Sequence, residues 1–237
     1  MNTWRCVLIV YREIDLRLTT SFFRSKRFAH TLPQREIDDA IDSFSCFPSL
    51  VSDLTNGAAE IHHDIIYSKN PLITLSRLGE SGWWPSPDDT RGELEEIRTE
   101  ERYDSVFILW PQNNLQSNES IESGGWGLGM RASPWSMNAT YATVANADSS
   151  IWSIPVKGEV WLHEWLHGAC AYFAERGYEM PDGDADGGDR HGYVQCPEKG
   201  WTAFYRDLMN GRVIEKGKLL GIPSLAWKAT SFPGAVA

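Results

Sequence analysis

Residues 163–167 read HEWLH and match the pattern H-E-x-x-H, in which two histidines lie four positions apart. If this stretch is helical, His163 and His167 lie on one face, one turn apart, and both imidazoles can reach one metal ion. Glu164 then lies beside the first histidine, within reach of a water molecule on that ion. The pattern therefore predicts a Zn²⁺ site with His163 and His167 as ligands and Glu164 as a catalytic residue.

The sequence around the motif predicts the required helix. Gly158 to Arg176 reads as one helix, and Gly177 is suited to a left-handed stop at its end. Glu159 lies in the first turn, where the helix dipole favours an acidic residue. Apolar residues recur at helical spacing and predict a core-facing stripe. They are Leu162, Leu166, Ala169 and Phe173.

Residues 159–177, with H-E-x-x-H at their centre, resemble the active-site helix of the zincin metallopeptidases. The resemblance implies an α+β fold, in which a twisted mixed β-sheet packs on the active-site helix beside a small C-terminal helical lobe. It also implies that zinc polarises a bound water, that Glu164 deprotonates this water, and that the resulting hydroxide attacks a carbonyl. The metzincin extension H-x-x-G-x-x-H is absent, because Cys170 and Phe173 occupy its glycine and histidine positions.

A catalytic zinc site usually has three protein ligands, so one ligand remains to be found. Only one of the six histidines, His191, lies downstream of the motif. It ends an acidic, glycine-rich loop that could fold back over the helix, and we predict it as the third ligand. Four acidic residues downstream of the motif remain as alternatives: Asp184, Asp186, Asp189 and Glu198.

The same loop suggests two further roles. Its D-x-D-x-D-G stretch, which starts at Asp182, resembles the opening of a calcium loop, so Ca²⁺ at Asp182–Asp186 is a secondary expectation. The twelfth position holds Tyr193 where a calcium loop has glutamate, and a solvated acidic turn is the alternative. Zincins often place a donor near the reacting carbonyl to stabilise its oxyanion. We predict Tyr193 for that catalytic role, with Tyr205 and Arg206 as alternatives.

Composition limits the class of protein and its partners. A chain of 237 residues with 42% hydrophobic residues can bury a real core. We predict a single zincin-like catalytic domain over residues 1–237, with an upper lobe of about 1–176 and a lower lobe of about 177–237. The net charge of −10 argues against nucleic acid or an anionic membrane as the main partner. Oligomeric state cannot be inferred from these features.

The N-terminal sequence bears on localisation. The apolar run from Trp4 to Tyr11 is followed at once by charged residues and reads as a strand rather than a signal peptide. No stretch approaches the ~20 apolar residues of a membrane span. The four cysteines are widely spaced, without C-x-x-C. These features favour a cytoplasmic protein, with a secreted mature form as the alternative.

Coarse patterning predicts an order of elements that fits the zincin plan. Strands are predicted at 6–18, 59–67, 71–78, 104–110, 141–146 and 151–156, with a long loop at 111–137. Helices are predicted at 33–54 with a kink or break at Pro48, and at 93–102, 158–176 and 198–209.

The leading functional hypothesis is a zinc-dependent hydrolase, most simply a metallopeptidase that cleaves amide bonds. One alternative is a biosynthetic or tailoring zinc enzyme that acts on a small molecule. Another is a catalytically inactive zincin-like binding protein. An open groove beside an exposed edge strand would favour a peptide substrate, whereas an enclosed aromatic pocket would favour a small molecule.

Overall fold

The computed structural model of the chain describes residues 3–21, 24–78, 82–100, 103–153 and 155–229. Its strands are β1 Thr3–Val10, β2 Glu13–Ser21, β3 Arg24–Thr31, β4 Glu60–Tyr67, β5 Ser76–Arg77, β6 Trp83–Trp84, β7 Ser105–Trp110, β8 Asn113–Asn114, β9 Glu119–Ser120, β10 Gly127–Met130, β11 Thr140–Ala145, β12 Val213–Glu215 and β13 Lys218–Leu220. Its α-helices are α1 Gln34–Leu54, α2 Arg91–Glu100, α3 Glu159–Ala174, α4 Thr202–Leu208 and α5 Ser224–Ala229.

A five-stranded mixed sheet with the order β10-β11-β7-β1-β4 forms the centre of the fold. Four of its strands are parallel, and β10 pairs antiparallel with β11 at one edge. Every residue of β7 is buried, which explains its unbroken apolar sequence SVFILW. Both faces of a parallel sheet are normally buried, and here helices and hairpins pack against them.

Alternate side chains of the central strands enter two separate cores. Leu8 and Phe107 contribute to the core beneath α1 and α3, while Ile9 and Ile108 contribute to the opposite core. That second core also takes residues of the β2–β3 hairpin and of α2. The molecule is therefore an α/β structure in which α3 packs against β10 and β11.

Helix α3 confirms the predicted motif helix. Its apolar stripe is buried, including Leu166 and Phe173, and Gly177 after its end has a φ of 88°. The C-terminal elements share its core, since Trp227 of α5 stacks on Trp165 with ring centroids 5.7 Å apart. The proposed division into an upper and a lower lobe stays a prediction, and its last residues, 230–237, lie outside the described ones.

Several predicted elements need correction. The strand predicted over 6–18 is two strands, because the chain turns at Tyr11 and Arg12 and pairs β2 with β3 instead. Helix α1 runs without a break through Pro48, since Phe44, Phe47 and Val51 hold both sides of the proline on the core. The helix predicted to start at residue 93 begins at Arg91, and Arg102 lies outside the described residues.

Two segments of the middle of the chain also differ from expectation. The long loop predicted over 111–137 contains the short strands β8 and β9 and the edge strand β10. The strand predicted over 151–156 begins instead as a 3₁₀ turn, Ile151–Ser153, because Trp152 stacks on Trp161 of α3, with an interplanar angle of 9°. Ile154 lies outside the described residues.

None of the helices in the described part of the chain combines the length and the apolar character that crossing a bilayer requires.

Candidate metal centre

Three side chains with metal-binding atoms meet on the open side of α3. They are His163, His167 and Asp186, and one ligand atom from each lies within 4.8 Å of the others. The helix supplies the two imidazoles, and a 3₁₀ turn at Asp184–Asp186 supplies the carboxylate. Among the described residues, this group of two histidines and one aspartate could hold a metal ion.

The distances within the group agree with those around a small cation. The two Nε2 atoms are 3.4 Å apart, and His163 Nε2 lies 3.3 Å from Asp186 Oδ1. His167 Nε2 lies 3.8 Å from Asp186 Oδ2. Ligands at about 2.0–2.1 Å from a tetrahedral ion are about 3.3 Å from each other. The donor atoms therefore require only small shifts to share one ion.

The second nitrogen of each ring has its own partner, which fixes the ring's orientation. His163 Nδ1 lies 2.9 Å from the Tyr205 hydroxyl oxygen, and His167 Nδ1 lies 2.7 Å from Asp184 Oδ1. A carboxylate can only accept, so His167 Nδ1–H donates to Asp184 and leaves Nε2 with a free lone pair. Both rings thus present Nε2 to Asp186, as metal-binding histidines do when a second group holds the other nitrogen.

These contacts shift the pKa values of the titratable groups at the centre. Burial disfavours the charged His167 ring, but Asp184, Glu164 and Asp186 outweigh it and raise the pKa of His167 above its usual value. The hydrogen bond to His163 lowers the pKa of the Asp186 carboxyl. Burial raises the pKa of Tyr205, so its hydroxyl stays protonated at neutral pH.

The acidic loop has a fixed shape that brings two aspartates to the helix. Asp184 has a φ of 36°, in the left-handed region that few non-glycine residues adopt. This turn lets Asp184 and Asp186, two positions apart, reach neighbouring points on the same histidine pair. Asp182 is held outside the centre, with its carboxylate 3.0 Å from Arg190 Nη1.

The structure brings Asp186, not His191, to the histidine pair. His191 has a 5% exposed side chain and stacks on Phe204. Its Nε2 lies 3.0 Å from the backbone oxygen of Asp182 and 3.9 Å from Glu215. Because a carbonyl only accepts, His191 Nε2 donates to the loop backbone, and its contacts are with Asp182 and Glu215 rather than with the histidine pair. The placement gives His191 a role in shaping the loop.

The remaining candidates lie apart from the centre. The Tyr193 hydroxyl donates to Asp207 at 2.7 Å, and burial and this bond raise the pKa of Tyr193 to about 12. Its role at an oxyanion stays a prediction, and it would require the hydroxyl to leave Asp207. Arg206 points to the backbone oxygen of Asp53. Asp189 and Glu198 are exposed.

Calcium at Asp182–Asp186 is not favoured by this arrangement. The carboxylates of Asp182, Asp184 and Asp186 contact Arg190 Nη1, His167 Nδ1 and the Nε2 atoms of the histidine pair, respectively. A calcium loop instead converges its carboxylates on one ion.

Glu164 lies at the floor of the centre and is only 5% exposed. Its Oε1 is 4.0 Å from His163 Nε2, and the backbone N–H of Gly129 hydrogen-bonds to its carboxylate. Burial raises the pKa of Glu164, while the two histidines act to lower it. A buried carboxylate beside a metal-binding group can take a proton from water in the groove and give it back.

Glycines in β10 make room for Glu164. A Cβ atom at Gly127 would lie 2.5 Å from Glu164 Cδ, and one at Gly129 would lie 2.2 Å from the Glu164 backbone oxygen. The edge strand can pass this close to α3 only because both positions lack side chains. The glycine-dense segment therefore belongs to the wall of the site.

Substituting Gly129→Ala is expected to lower the free energy of unfolding by about 1–3 kcal/mol, because the new methyl group meets rigid backbone. Chemical denaturation followed by tryptophan fluorescence measures this change. Gly92→Ala is the matched control, since a Cβ there meets nothing within 4 Å and the residue lies in α2. Equal stability of both variants would contradict the close packing of β10 on α3.

The centre opens into a groove of about 670 Å³. One wall is the segment from Gly124 through β10, and the floor holds Glu164 and the two histidines. Trp152, Val160, Trp201, Asp186 and Tyr205 also line the groove. The groove therefore places the metal-binding group beside the edge strand of the sheet.

Comparison with protein-family models, with curated proteins and with solved structures finds no match to this chain.

Proposed function

We propose that this protein is a zinc-dependent hydrolase of zincin type and that it cleaves amide bonds in peptides. The observation that carries the proposal is the meeting of His163, His167 and Asp186 beside the buried carboxylate of Glu164. Two imidazole nitrogens and one carboxylate oxygen, with a nearby acid, are the parts that a zinc hydrolase needs.

The donor set suits zinc. Nitrogen and carboxylate ligands in a group of three leave one position open for water or substrate, as catalytic zinc sites do. His163 and His167 would bind through Nε2 and Asp186 through its carboxylate. When bound, zinc acts as a Lewis acid that makes a water molecule more acidic and a carbonyl more electrophilic.

The chain's own residues supply the proton transfers. The Glu164 carboxylate would accept a proton from the attacking water and later pass it to the leaving amine nitrogen. Its burial and its bond from Gly129 N–H hold it at one place on the groove floor. Asp184 and Tyr205 hold the two imidazole rings in the orientation that binding requires.

The edge strand favours a peptide over a small molecule. Strand β10 pairs on one side with β11, and the described residues place no strand on its other side. An extended peptide can add to such an edge through backbone hydrogen bonds. Gly127, Leu128 and Gly129 of β10 line the same groove as the two histidines, so a peptide bound at this edge would lie beside the metal-binding group.

Removal of zinc tests the proposal. We expect zinc-loaded protein to cleave members of a mixed peptide library, with products identified by mass spectrometry. Treatment with phenanthroline should abolish cleavage, and added zinc should restore it. A zinc-loaded protein that leaves every peptide intact would contradict the peptidase proposal, and hydrolysis limited to small acylated amines would favour the small-molecule alternative.

Substituting Asp184→Asn is expected to weaken zinc binding about 10- to 100-fold, because the His167 ring loses the carboxylate that orients it. Competition with a fluorescent zinc chelator measures this affinity. Asp182→Asn is the control from the same loop, since its carboxylate contacts Arg190 rather than a histidine. Identical zinc affinities in the two variants would show that Asp184 does not position His167.

A further inference from the structure

Glu159 is a second buried acid in the groove, one helical turn before His163. Glu159, His163 and His167 are spaced four residues apart, so they follow one face of α3 at intervals of about 6 Å. Glu159 lines the same groove as the two histidines. Glu159 therefore lies next to the metal-binding group without being one of its three residues.

The Glu159 carboxylate is buried but only half satisfied. The residue is 6% exposed, and its Oε1 accepts the Trp201 backbone N–H at 2.5 Å. Its Oε2 is buried without a hydrogen-bond partner among the described residues. Buried carboxylate oxygens usually have partners, because an unsatisfied one loses its solvation without compensation. A favourable helix dipole alone would not require this burial, since first-turn acids also act at the surface.

The loop before α4 is shaped to hold this carboxylate in place. Gly200 has a φ of 53°, and a Cβ atom there would lie 2.0 Å from Glu159 Oε2. The carboxylate is thus held between the start of α3 and the loop, with Oε1 engaged. Burial raises the pKa of Glu159, whereas the backbone N–H of Trp201, the nearby His163 and the backbone N–H of Val156 lower it. A cation that approached this carboxylate from the groove would offset the same burial penalty.

The walls near Glu159 suit an aliphatic or cationic side chain. Trp152, Pro155, Val160 and Trp201 line the same groove as Glu159. Apolar walls can cover the methylene stem of lysine or arginine while its charged end reaches an acid. Indole faces also attract such cations. The net charge of −10 further favours basic ligands over acidic ones.

We propose that Glu159 is the specificity-determining residue of the groove and binds the ammonium or guanidinium group of a basic substrate residue next to the cleaved bond. Cleavage next to this basic residue rests on the proposed peptidase function, whereas the binding of its cationic group does not. The separation of one helical turn from His163, about 6 Å, is close to the reach of the four-carbon stem of lysine.

Two isosteric probes test this site without any hydrolysis. N-acetyl-arginine amide and N-acetyl-citrulline amide have nearly the same shape, and only the first is charged. We expect zinc-loaded protein to bind the arginine compound about 10- to 100-fold more tightly, as a buried charge-assisted hydrogen bond implies. Calorimetry, or the fluorescence of tryptophans in the groove, measures both affinities.

The variant Glu159→Gln should remove this preference while zinc content stays unchanged, because Glu159 lies outside the metal-binding group. Glu175→Gln is the matched control, because Glu175 is exposed at the other end of α3. Equal affinity of the wild type for both probes, or a preference that survives Glu159→Gln, would overturn the proposal. Because the wild-type comparison needs no variant, a misfolded variant cannot obscure the result.

The outcomes also separate this site from the proposed function. A charge preference without cleavage of any peptide would leave the Glu159 site standing and refute the peptidase. Cleavage of peptides at equal rates, whether arginine or citrulline stands at each position, would support the peptidase and refute the Glu159 site.

Discussion

Replacing Glu164 with glutamine is expected to lower the rate of peptide hydrolysis about 10²- to 10⁴-fold while zinc stays bound. The amide has the same shape as the carboxylate but cannot accept the proton of the attacking water. Glu164 is 5% exposed and lies against Gly127, so an isosteric change should leave the packing of β10 intact. Initial rates on a cleaved library peptide, with zinc content measured on the same sample, provide the test.

Glu175→Gln serves as the control for this experiment, because it removes an exposed acid from the end of the same helix. Its activity should equal that of the wild type. If Glu164→Gln kept full activity with zinc bound, Glu164 would not be the base, and the proposed hydrolytic mechanism would be wrong. A chain without hydrolytic activity in any form would instead favour a zincin-like binding protein.

The parts of the site that the sequence predicts are those set by local geometry. A helix places residues four apart on one face, so the convergence of His163 and His167 follows from HEWLH alone. The same reasoning predicts α3, with its buried Leu166 and its left-handed Gly177, and the buried strand β7. Each of these features depends on residues close together in the chain.

Strand β10 illustrates what local patterns do not predict. Its sequence, GLGM, has little intrinsic strand preference and reads as part of a loop. It becomes an edge strand because β11 offers a pairing partner and because Gly127 and Gly129 allow close approach to α3. Both glycines make room for Glu164, more than thirty positions away, and sequence periodicity does not register such a contact.

The preference for His191 over the alternative Asp186 as third ligand differs from the structure for a related reason. His191 is favoured by residue type, because histidine is the commonest metal ligand. In the structure its Nε2 is used by the backbone oxygen of Asp182, whereas the turn at Asp184–Asp186 delivers a carboxylate to the histidine pair. The repeated D-x-D of the loop was the available signal, since one aspartate can orient a histidine while the other meets the ion.

Substituting Asp186→Ala is expected to weaken zinc binding at least about a hundredfold. Loss of a group that only orients a ligand already weakens metal binding about 10- to 100-fold, and a ligand should matter at least as much. The Asp186 side chain is 66% exposed, so its removal should leave stability nearly unchanged. Metal analysis of the purified protein and competition with a fluorescent zinc chelator give the affinity.

Two variants from the same loop make this result specific. Asp189→Ala removes an exposed acid three positions further on and should keep the wild-type affinity. His191→Gln removes the imidazole but retains an N–H that can donate to the Asp182 oxygen, so the loop should keep its shape and its zinc. If His191→Gln lost zinc as severely as Asp186→Ala, His191 would be a ligand after a rearrangement of the loop on metal binding. If Asp186→Ala kept the full zinc affinity, the Asp186 carboxylate would not be the third ligand, because the alanine side chain has no atom that can bind zinc.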